Sequence, residues 1–73
     1  MNDLAFQYIV ERIIKNAMDS LKDAKENPGD EFYEGHKLAH YEILDIIKAE
    51  LNIRDEDLSE YGLDIDLDKV FLQ

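Results

Sequence analysis

Apolar residues recur at helical spacing from about Asp3 to Glu26: Leu4, Phe6, Ile9, Val10, Ile13, Ile14, Ala17, Met18, Leu21 and Ala24. Steps of three and four set them along one side of a 3.6-residue helix, so the pattern predicts a first helix over residues 3–26. Neither Gly nor Pro interrupts it, and Lys22 and Lys25 lie near the end where the helix dipole favours cations. The run stops at Asn27-Pro28-Gly29-Asp30. Pro lacks an N–H and Gly tolerates positive φ, so this tetrapeptide reads as a turn. A second helical pattern follows over residues 30–51, capped by Asp30, or by Asn27 with Pro28 in the first helical position. So short a connection joins antiparallel neighbours, and residues 3–51 are expected to form an αα-hairpin.

Residues 52–73 carry a weaker pattern. Asp55 is placed to cap a short helix through Tyr61, with Gly62 as its left-handed terminator. Leu63 to Asp68 alternates with period two, which suits a half-buried strand, yet a lone strand has nothing to pair with unless it pairs across a dimer. The expected form is an extended segment or a last helical turn from Asp66 to Leu72. Its apolar residues, together with Leu58, would close over the hairpin: Leu63, Ile65, Leu67, Val70, Phe71 and Leu72. The reading is a single all-α domain of an antiparallel hairpin plus a short helical or extended C-terminal segment.

Helical projection adds a constraint on assembly. The apolar arc of the first helix runs from Ile9 through Ile13, Phe6, Val10, Leu21 and Ile14 to Met18. It covers roughly 180°, whereas packing on one neighbour needs little more than about 100°. A second surface must therefore meet this helix, either the C-terminal segment or another chain. Size points the same way. For 73 residues, folded-surface scaling leaves roughly 4,700 Å² exposed of about 12,300 Å² in the unfolded chain, a marginal ratio. Small domains offset that with disulfides, metals or oligomerisation, and there is no cysteine. A homodimer with a four-helix core is the expectation. Its candidate contact residues are Ile13 and Val10 on the first helix; Leu38 and Tyr41, which project among Glu34, Glu42 and Asp45 on the polar side of the second, are placed to contact the C-terminal segment or an external partner.

Charge narrows the partners. The net charge is −10, distributed as −1 over residues 1–29, −4 over residues 30–50 and −5 over residues 51–73. An acidic surface of this kind suits a basic partner and disfavours nucleic acid, which needs clustered Lys and Arg. No apolar stretch approaches the roughly 20 residues needed to cross a bilayer, and no basic segment leads into an apolar run at the N-terminus. A cytoplasmic protein is the resulting expectation.

One constellation has the form of chemistry. The apolar arc of the second helix runs from Ile46 and Ala39 through Phe32 and Ile43 to Ile47, Tyr33, Leu51 and Leu44, with His36 and His40 near its centre. Histidines at i and i+4 aim both imidazoles the same way and can chelate a transition metal. The zinc-protease motif, however, needs Glu after the first His, where Lys37 stands, and no third ligand is visible. The preferred reading is a structural pair hydrogen-bonded to backbone, Tyr or carboxylate groups, with no cofactor. Asp64, Asp66 and Asp68 imitate the opening of a calcium-binding loop, but Lys69 occupies its Gly position; Asp55, Asp57 and Ser59 do the same with Glu60 there. Both read as solvated acidic faces. With no Gly-rich phosphate loop, no Cys nucleophile and little volume for a pocket, an enzyme is not expected.

The stretch from Phe32 to Leu44 (FYEGHKLAHYEIL) and the ending from Leu58 to Leu63 (LSEYGL) resemble small helical proteins of unassigned function in prophages and mobile elements of low-GC Gram-positive bacteria. The likeness covers about half the chain and carries no catalytic motif. It implies a bacterial cytoplasmic setting and no particular activity. The functional expectation is a small acidic interaction or regulatory protein. The alternatives are a DNA-mimic inhibitor of a basic protein and a helical metal-binding protein using His36 and His40.

Overall fold

The computed structural model describes residues 3–73, which are helical with no strand. The first helix, α1, spans Asp3–Glu26 and the second, α2, spans Glu31–Ile53. Between them Pro28 and Gly29 occupy the central positions of a tight turn. The Asp30 N–H donates to the Asn27 carbonyl at 3.1 Å, and Gly29 has φ +82°. Pro followed by a residue of positive φ is the chemistry of a type II turn. Of the two candidate caps it is Asp30 that starts α2, its carboxylate accepting from the Phe32 N–H at 3.0 Å.

The end of α2 is less usual. Asp55, not Gly, takes the left-handed position (φ +58°) just past the helix. The Asp55 N–H donates to the Asn52 carbonyl and the Glu56 N–H to the Leu51 carbonyl at 2.9 Å, closing a Schellman-type terminus. Asp55 thus ends α2 and does not cap the following helix. That role falls to Asp57, whose carboxylate accepts from the Ser59 hydroxyl and N–H and is held below the usual carboxylate range by them. A 3-10 helix, Leu58–Tyr61, ends at Gly62 with φ +73°. A Cβ there would lie 3.4 Å from the Ile14 side chain, so both backbone and space favour Gly. The chain then runs without helix to Asp66, which caps a last short helix, α3, Leu67–Phe71.

Three layers of side chains meet in one core. Val10, Ala17, Leu21 and Ala24 come from α1, Leu44 and Leu51 from α2, and Tyr61, Leu63, Leu67 and Phe71 from the C-terminal segment. Small residues occupy the buried positions 17, 20 and 24 of α1 toward the turn, where small contact side chains permit a short interaxial distance. Ser20 is tolerated there because its hydroxyl donates to the Ala17 carbonyl at 2.7 Å. The Phe6 and Tyr61 rings, 5.5 Å apart edge-to-face, fill the other end.

Leu63, Leu67 and Phe71 are buried, while Leu58, Ile65 and Val70 are half-buried; Leu72, expected to join them, stays 47% exposed because α3 ends at Phe71 and turns it outward. Lys48 donates to the Ile65 carbonyl, and the Tyr41 hydroxyl donates to Asp68 at 2.6 Å. These contacts tie the segment to the Tyr41–Lys48 side of α2 and the Ile14 side of α1.

Candidate interaction surface

A two-helix hairpin has two open flanks, and the C-terminal segment covers one. The other remains apolar and exposed. On α1 it shows Ile9 (56% exposed) beside half-buried Ile13. On α2 it shows Phe32 (71%), Ile43 (46%), Ile46 (63%) and Ile53 (74%). The total accessible surface is 5176 Å², about a tenth above the roughly 4,700 Å² that scaling gives a chain of this size.

The periodicity of α2 explains this division. Residues 33, 37, 40, 44, 47 and 51, spaced 4-3-4-3-4, are all buried or half-buried. Residues 32, 36, 39, 43, 46, 50 and 53, spaced 4-3-4-3-4-3, are all exposed. The two seams differ by one residue, hence by about 100° around the helix. Only the first faces the hairpin interior. On helical projection Phe32, Ile43 and Ile46 fall in one broad arc with the interior residues, and Ile53 lies past the end expected for the helix, so the four do not stand apart as surface residues. Their own 4-3 repeat is the signal that distinguishes them.

The candidate residues divide accordingly. Val10 is fully buried within its own chain, at the centre of the α1 face that meets α2 and the C-terminal segment. It cannot contact a second molecule, which corrects its placement as a contact residue. Ile13 is half-buried on the border of the open flank. Leu38 is 42% exposed on the far side of α2. Tyr41 is half-buried against the C-terminal segment, its ring 6.5 Å from that of Phe71. The hydrogen bond to Asp68 first, then desolvation and the nearby charges of Asp68, Asp45 and Asp66, push the Tyr41 hydroxyl pKa up to about 12.

His36 and His40 do not lie at the centre of a buried face. His36 belongs to the exposed seam and His40 to the interior one, with ring centroids 4.7 Å apart. His40 Nδ1 lies 3.0 Å from the His36 carbonyl oxygen, a backbone contact within one helical turn. The Phe32 ring stands 6.1 Å from His36 on the other side. Among the described residues no group of three or more His, Asp or Glu is placed to hold a metal ion. Asp66 and Asp68, which imitate calcium ligands in sequence, are engaged as the α3 cap and as the Tyr41 acceptor.

At the end remote from the turn, Phe6, Ile46, Ile47, Leu51 and Tyr61 line a groove of about 430 Å³ together with Glu50, Arg54 and Glu56. It continues the open flank past Ile46. No helix of the described residues is long and apolar enough to cross a membrane. Comparison with protein-family models, with curated proteins and with solved structures gives no match.

Proposed function

We propose that the chain is a small acidic, non-enzymatic interaction protein of the cytoplasm, working as a homo-oligomer through the open flank of its hairpin. One observation carries this reading: four large apolar side chains of α2 and one of α1 stand exposed on the same flank. Contiguous apolar surface on a small protein marks a place where another surface docks. Capture from a cell extract by immobilised wild type and by Ile46→Glu tests it. Ile46 is 63% exposed, so the substitution leaves the core intact. Loss of bound protein, including added free copies of the chain, supports the reading; identical capture by both overturns it.

The acidic side supports a second reading, a surface that imitates a polyanion for a basic protein. Asp55, Glu56, Glu60 and Asp64 are exposed and have no ion-pair partner among the described residues; the three ion pairs lie within α1 and α2 or at the end of α2. Salt separates the two readings. Attraction between exposed charges fades as the screening length falls to about 3 Å at about 1 M salt, whereas apolar docking persists.

A further inference from the structure

We propose that the open seam of α2 packs on the same seam of a second copy, antiparallel, with Ile43 on the two-fold axis. This rests on reading the open flank as an interaction surface, and names the partner and its register.

The seam reads Phe32, His36, Ala39, Ile43, Ile46, Glu50, Ile53. Laid against itself antiparallel and centred on Ile43, all seven positions overlap. Phe32 then meets Ile53 of the other copy, His36 meets Glu50, Ala39 meets Ile46, and Ile43 meets itself. Each pairing is complementary. The smallest side chain faces a large one, and the seam's only carboxylate faces its only imidazole. Parallel pairing would instead set Glu50 against Glu50 and His36 against His36. A two-fold pair requires a self-complementary patch, and this register supplies one.

Extent and placement agree. From residue 32 to residue 53 the seam runs about 32 Å, and one helix about 10 Å wide covers roughly 320 Å². With α1 alongside, the face doubles, and two copies bury roughly 1,300 Å² in all, within the class of specific interfaces. The α1 contribution falls where it is needed. Leu21 and Ala24 line a cleft with Glu34 and Lys37, and Phe6 lines another with Ile47 and Leu51. That hairpin register sets Ile13 level with Leu44, beside the axis. The result is a four-helix core, α2 over α2 and α1 over α1. The charge of −10 per chain, and Glu42 next to the axis, oppose association, so raising salt from about 0.05 to about 0.5 M tightens the pair. A complex held by a basic protein shows the reverse.

The chain has no native cysteine, which permits a direct test. Ile43→Cys should form a disulfide-linked dimer on mild oxidation, and Ala39→Cys should not, because residue 39 faces residue 46. Sedimentation equilibrium of the wild type should show a dimer. His36→Glu should weaken it at least about tenfold by opposing Glu50, and adding Glu50→Lys should restore it. Fourteen residues of helix, about 21 Å, separate the two positions within one chain, so rescue reports contact between copies. A wild type monomeric at about 100 µM, equal cross-linking of both cysteine variants, or failure of the charge rescue would overturn the proposal. A monomeric wild type would also remove the homo-oligomer from the proposed function, whereas a dimer that fails only the cysteine and charge-rescue tests, or capture of a different protein lost in Ile46→Glu, would leave the flank an interaction surface.

Discussion

Replacing Phe71 by Ala tests whether the C-terminal segment is part of the core or merely draped over it. Phe71 is fully buried, the last anchor of a segment that covers one flank of a two-helix hairpin. Removing a buried aromatic ring and leaving its cavity costs about 3–5 kcal/mol. At about 0.05–0.15 kcal/mol per residue, a chain of 73 residues has roughly 4–11 kcal/mol in total. The substitution therefore removes a third of the stability or nearly all of it. With a urea m-value near 1 kcal/mol/M, the unfolding midpoint should fall by about 3 M or more. Leu72→Ala is the control. Its side chain is adjacent but 47% exposed, and it should cost less than about 0.5 kcal/mol. Urea titrations at one fixed protein concentration, followed by far-ultraviolet circular dichroism and by tyrosine fluorescence, read both variants. Dichroism reports the long helices, and fluorescence reports the four tyrosines, of which Tyr61 lies in the segment and Tyr41 packs against it. The two probes should move together, because a bare hairpin would leave both flanks wet. A Phe71→Ala midpoint within about 0.5 M of wild type, or fluorescence changing well before dichroism, would refute a shared core.

Tyr41→Phe removes a hydroxyl whose pKa is raised to about 12 in the folded state. The unfolded value is near 10, so the proton is held more tightly when folded. That contribution is complete below pH about 10 and is lost as pH rises toward about 12; stability measured across this window should fall more steeply in wild type than in the variant. Asp55→Gly should stabilise by about 0.5–1 kcal/mol in thermal unfolding, since it relieves a left-handed residue and removes an acid beside a helix C-terminus. Gly35→Ala should also stabilise by about 0.5–1 kcal/mol, because a Cβ in that helix interior meets nothing within 4 Å. One equivalent of Zn²⁺ should leave the melting temperature unchanged, and a rise that disappears in His40→Ala would establish a two-histidine metal site.

Much of the helical architecture was legible because its causes are local. The turn is written in Pro28 and Gly29, and the start of α2 in a carboxylate able to reach the Phe32 N–H. The α3 cap at Asp66 follows the same logic, and so does Gly62 at the end of the 3-10 helix. Asp55 misleads for a physical reason. An Asp before a polar stretch resembles a cap, yet the backbone needed a left-handed residue there, and Asp tolerates that conformation better than most.

The candidate surface was harder to read because exposure is not a property of a helix alone. Periodicity determined that α1 carries an apolar face wider than one neighbour can cover, and composition determined an acidic, cysteine-free chain. Neither could say which flank the C-terminal segment would take. That choice was made by contacts between residues far apart in the chain: Lys48 with the Ile65 carbonyl, Tyr41 with Asp68, and Gly62 against Ile14. Once those contacts formed, Val10 was sealed inside, and the 32–53 seam, offset by one residue from the interior seam, was left facing outward. Side-chain spacing therefore placed one broad apolar arc on α2; packing on α1 took the part at residues 33–51, and the path of the last sixteen or so residues along the Tyr41–Lys48 side left the 32–53 part facing water.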